Sequence, residues 1–172
     1  MKLLRVGEKG KEKPAILDGD GKIRDISSHV SDLNPHNLNF ETISKIQSVD
    51  TSSLPEISSD QRVGSCITSP GKFVAIGLNY SDHAAEVGAD IPKEPIMFMK
   101  ATSSMCGPND DVEIVSGSKK LDWEVELGIV IGKEAKHISE DQSQDHILGY
   151  CLVNDVSAVS YTHLTLPTNG CV

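Results

Sequence analysis

Apolar residues in this chain fall into short runs bounded by turn residues, and the runs mostly carry the two-residue alternation of strands rather than helical spacing. Leu3, Leu4 and Val6 form the first run and give way to a polar stretch from Glu8 to Lys13. Ala15-Ile16-Leu17, the turn Asp18-Gly19-Asp20-Gly21 and the segment Lys22 to Ile26 predict a β-hairpin. Asn39 or Ser31 is placed to cap a short helix through Ile43 and Ile46. Residues 48–70 are rich in Ser, Asp and Pro and read as a linker, which sets a boundary near residue 65.

From Lys72 the texture changes. Phe73 to Leu78 reads as a strand of the buried type, followed by a short helix from Asp82 to Val87 with Ser81 as its cap and Gly88 as its stop. Pro95 to Lys100 predicts a strand, Gly107-Pro108-Asn109-Asp110 a turn, and Val112, Ile114 and residues 123–131 further strands. An acidic helix is expected from Ser139 through Ile147, ended by Gly149, before a strand at Tyr150 to Val153 that runs into Asn154-Asp155. Residues 159–172 contain no Asp, Glu, Lys or Arg, unlike everything before them. That shift predicts a non-native tail.

The segment 121–131, Leu-Asp-Trp-Glu-Val-Glu-Leu-Gly-Ile-Val-Ile, carries the strongest lead to chemistry. Side chains alternate along a strand, so Trp123, Val125 and Leu127 share one face and Glu124 and Glu126 the other. Two like charges on one face of an apolar strand repel and lose hydration unless a cation lies between them. Asp155, at the end of a later strand, reaches the same point if that strand returns beside the first. Three carboxylates with no His or Cys among them suit a hard divalent ion: Mg²⁺, Mn²⁺ or Ca²⁺. The competing reading is a solvated antiparallel face on which Glu alternates with apolar residues. The apolar run from Gly128 to Ile131 points instead to a strand that enters the interior.

His83 and Glu86, at i and i+3 of the short helix, share a face. A carboxylate beside an imidazole orients it for general-base work, although such pairs also occur incidentally on helix surfaces. Lys100 either meets an anionic substrate or simply ends its strand at the surface. Cys106 and Cys151 read as small buried residues.

Composition narrows the partners. The chain has 172 residues, 38% of them hydrophobic, and a formal charge of -9 with no basic stripe, so nucleic-acid binding is not expected. The four cysteines form no CxxC pair, no apolar run is long enough to span a membrane, and charge interrupts the N-terminal apolar run too early for a secretory signal. A soluble, cytoplasmic protein is the expectation.

Taken together, the stretches Gly71 to Phe73, Gly77-Leu78-Asn79-Tyr80-Ser81-Asp82-His83-Ala84-Ala85-Glu86, Pro95 to Ser103, Asp122 to Leu127, and Gly149-Tyr150 through Asn154-Asp155-Val156-Ser157 resemble the fumarylacetoacetate hydrolase family, small bacterial type. The resemblance covers about residues 70–158. It implies an α+β, mainly β, fold: a mixed β-roll (incomplete here) over 66–158, preceded by a small N-terminal domain over 1–65, in homodimers. It also implies Glu124, Glu126 and Asp155 as metal ligands, His83 and Glu86 as the pair that activates water, and Lys100 in a stretch lining the substrate site. The activity implied is metal-dependent cleavage of a carbon–carbon bond in a 2,4-dioxo acid. Alternatives are isomerase or decarboxylase chemistry on a hydroxyhepta-dienedioate, ureidoglycolate lyase chemistry, or an inactive fragment. After Ser157 the resemblance stops, and the chain by itself is expected to be unstable or inactive.

Overall fold

The computed structural model describes residues 1–158, so the expectation of a non-native tail at 159–172 lies outside the described residues. The chain divides into two compact units, the first spanning Met1–Asn109 and the second beginning at Asp110. The secondary structure is mostly strand, with few helices.

The first unit opens with a four-stranded antiparallel sheet: β1 (Lys2–Val6), β2 (Lys13–Leu17), β3 (Ile23–Asp25) and β4 (Glu56–Ile57), in that order. The hairpin joining β2 and β3 forms where Asp18 and Gly21 predict it. Asp18 Oδ1 accepts the backbone N–H groups of Asp20 and Lys22, and Gly21 takes φ +78°. Helix α1 (Phe40–Gln47) is capped by Asn39, whose side chain accepts the Thr42 N–H. Ile46 of α1 is buried with Ile16, Ile26, Val30, Leu33 and Leu54, and this cluster is the main core.

The stretch after residue 48 is not the linker its composition suggests. Asp50 caps a short 3₁₀ turn at Thr51–Ser53, Leu54 is buried, and β4 completes the sheet. Val63 bridges Val6, and the Gly64 N–H donates to the Arg5 carbonyl. Ser, Asp and Pro here serve tight turns inside the folded unit.

Still in the first unit, β5 (Val74–Gly77) pairs antiparallel with β6 (Ile96–Met99), and α2 (Ser81–Glu86) lies between them in sequence. Every residue of β6 is exposed, and β5, expected as a buried strand, has Val74 exposed and Ala75 to Gly77 only half-buried. Ser81 is the first helical residue rather than the cap. Tyr80 occupies the cap position without a side-chain hydrogen bond.

The second unit contains β7 (Leu121–Asp122), β8 (Val125–Ile131), β9 (Ile147–Asn154) and β10 (Ser157–Ala158), with β8 paired to β9 and β7 to β10. No strand forms at Val112 or Ile114. The expected acidic helix is a 3₁₀ segment, Glu140–His146, held by a capping box between Ser139 and Gln142. Gly149 does not end it, but lies within β9 opposite Val130. The apolar side of the β8–β9 ribbon is exposed rather than interior. Trp123, Val125, Leu127, Ile129, Ile131 and Leu152 are between 51% and 82% accessible. Among the described residues, no helix is long and apolar enough to cross a membrane.

Candidate functional site

The ribbon of β8 and β9 positions the three carboxylates. Val125 lies opposite Asn154 on one side of a break in the ladder, and Asp122 lies opposite Ser157 on the other. No residue is inserted between these pairings, so Glu124 falls opposite Asp155. The Asp155 N–H donates to the Glu124 carbonyl at 2.8 Å, which ties the two backbones together at that point. Glu126 follows two residues along on the same half-buried face, and the alternate residues Val125 and Leu127 are exposed. The alternation of faces and the return of the later strand beside the first follow the sequence expectation, and the register sets Asp155 opposite Glu124.

Gly128 continues the carboxylate-bearing face. A Cβ there would stand 2.7 Å from Cys151 Sγ and 2.9 Å from Val153 Cγ2, so the ribbon is closed tightly just beyond Glu126. His146, at the far end of the ribbon, is buried with Nδ1 3.2 Å from the Lys133 carbonyl and serves packing.

Among the described residues, no three His, Cys, Asp or Glu side chains converge closely enough to hold an ion as they stand. Strand rise separates Glu124 and Glu126 by about 6.5–7 Å at the backbone. An all-oxygen donor set on a half-buried face fits a hard divalent cation in chemistry.

His83 and Glu86 sit on α2 of the first unit, as the helical spacing requires. Their Nδ1 and Oε2 atoms are 3.6 Å apart, an ion-pair separation rather than a hydrogen bond, and both side chains are exposed. The chain enters α2 through Leu78, which takes φ +50°, a conformation that favours glycine. Lys100 follows β6, its N–H donating to the Phe73 carbonyl at 2.8 Å and its Nζ lying 5.8 Å from the Phe98 ring centroid. Sequence reasoning quoted Asn154 without giving it a role. Its side-chain oxygen accepts the Glu124 N–H at 3.2 Å. The available signal was its register position, one residue before the Asp that faces Glu124.

The pattern of the fumarylacetoacetate hydrolase C-terminal domain matches residues 72–168. This chain belongs to the fumarylacetoacetate hydrolase family. A Burkholderia lata protein provisionally named a hydrolase is 54% identical over 157 residues, which cover 91% of this chain and 56% of that protein. The chain thus spans little more than half the length of that relative. Among solved structures, a protein of Mycobacterium smegmatis provisionally named HpcE aligns over 98% of this chain and 59% of its own, with TM-score 0.78 and 29% identity. Maleylpyruvate hydrolase from Sphingobium sp. SYK-6, solved with manganese(II) and pyruvate, shares the fold with TM-score 0.70 and 21% identity over 91% of this chain and 58% of its own.

Proposed function

We propose that the whole fumarylacetoacetate hydrolase family protein is a metal-dependent hydrolase that cleaves a carbon–carbon bond in a 2,4-dioxo acid of the acylpyruvate or diketo-deoxy sugar acid type. The observation that carries this reading is the register that sets Asp155 opposite Glu124, with Glu126 next along the same face. Glu124, Glu126 and Asp155 would hold Mg²⁺ or Mn²⁺. An ion held there would supply positive charge to the 2-oxo acid end of the substrate. Maleylpyruvate hydrolase, a protein of the same fold, was solved with manganese(II), an ion of the class this donor set suits, and with pyruvate, a 2-oxo acid.

His83, oriented by Glu86, takes the proton of the attacking water. Oxygen bonds to the distal carbonyl carbon, the carbon–carbon bond breaks, and the departing carbon takes the proton back from His83 to give the 2-oxo acid. Lys100 binds a carboxylate of the substrate. No nucleophilic side chain takes part.

Two variants separate the roles. In the full-length protein, Glu124→Ala is expected to remove both Mn²⁺ binding and turnover. His83→Ala is expected to keep Mn²⁺ binding and lower turnover by about 10²- to 10⁴-fold. Pyruvate release from an acylpyruvate, followed by loss of enol absorbance, is the readout. An isomerised product without pyruvate would assign the same residues to tautomerisation instead. Full activity in both variants would end the assignment of roles.

A further inference from the structure

The pairing of the two long strands is irregular at two places, a bulge at Val130 and Ile131 and a gap that holds Glu124 and Asp155. The β8–β9 pairing runs to Val125 and Asn154, resumes as β7–β10 at Asp122 and Ser157 in the same register, and leaves Glu124 and Asp155 between the two. In a regular antiparallel ladder, facing residues of a hydrogen-bonded pair exchange both N–H···O contacts. Here the Asp155 N–H donates to the Glu124 carbonyl at 2.8 Å, while the Glu124 N–H donates to the side-chain oxygen of Asn154 at 3.2 Å. A side chain has taken up a main-chain donor within the strand pair.

We propose that Asn154 is a positioning residue: by accepting the Glu124 N–H, its side chain fixes the irregular backbone that presents Glu124 and Asp155 to a divalent cation. This rests on the metal-ligand reading given above. The residue types suit the task. Asn competes well for main-chain donors, and its neutral oxygen accepts the Glu124 N–H without adding a charge beside the carboxylates. Partners one step removed from a metal ligand typically alter metal affinity about 10- to 100-fold when removed. Asn154 is itself exposed, so it can be replaced without opening a cavity.

The test is a Mn²⁺ titration of the full-length protein, followed by loss of the free-ion paramagnetic resonance signal, beside hydrogen exchange at the Glu124 amide. Asn154→Leu keeps the approximate shape and removes the acceptor. It should weaken Mn²⁺ binding by about tenfold or more and speed exchange at the Glu124 amide. Asn154→Asp restores an acceptor oxygen at the same place and should bind at the parent affinity or tighter, with the amide protected again. Unchanged affinity in Asn154→Leu, or equal loss in both variants, overturns the positioning role while leaving the carboxylate reading in place. A full-length parent that binds no Mn²⁺ overturns both, and Glu124→Gln binding like the parent removes Glu124 as the ligand being positioned.

Discussion

Arg5 shows how individual residues hold the first unit. Arg5 is 7% accessible, and its guanidinium bonds Asp32 at 2.6 Å, with Glu12 at 3.4 Å; Glu12 also takes Arg62 at 2.7 Å. Burial pushes the Glu12 carboxyl up, but the Arg62 hydrogen bond, the charge on Arg5 and backbone donors pull it further down, and the balance lies below the usual 4.5. A carboxyl lowered by folding stabilises the native state above its ordinary value and loses that contribution as pH falls through the lowered one. Stability of the first unit should therefore drop below about pH 4.5 in denaturant titrations, and Glu12→Gln should flatten that dependence. Glu12→Ala leaves two arginines without their shared partner and should cost about 3 kcal/mol in urea unfolding. None of this was read from the sequence. Glu12 and Arg62 are fifty positions apart, and only the fold brings them together.

Among elements, those marked by local chemistry were legible and those marked by composition were not. The β2–β3 hairpin followed from Asp18 to Gly21, and the α1 cap from Asn39, because each signal acts within four residues. Asn39→Ala should lower stability by about 1 kcal/mol, and Ile46→Ala, which empties a core position on the same helix, by about 3 kcal/mol, both measured by thermal or urea unfolding. The segment after residue 48 misled because the residues that make linkers also make tight turns. Gly149 misled because a glycine facing a partner strand reads like a helix stop. The β8–β9 pairing has its own sensitive position. Gly128→Ala drives a methyl into Cys151 and Val153 and should cost about 1–3 kcal/mol, with loss of Mn²⁺ affinity if the ribbon shifts at Glu126.

At the scale of the molecule, alternation told which residues share a face but not which face is covered. Glu124 and Glu126 are the half-buried side, and the apolar side stands open. Burial depends on what packs against a surface, and the chain spans 56% of the length of its Burkholderia relative. Exposed apolar surface of this extent takes up apolar probes from water. The 172-residue chain should bind a hydrophobic dye such as ANS, and Val125→Lys with Leu152→Lys should abolish that binding without disturbing the N-terminal core. Fluorescence titration checks both outcomes.

Trp123 gives that open side a use in the laboratory. It is the one tryptophan in the sequence and 81% accessible, with Glu124 as its neighbour in the chain. Its emission is therefore an intrinsic gauge that needs no label. A shift toward shorter wavelength reports another polypeptide settling over the ribbon, and a change on adding an ion reports the carboxylates behind it.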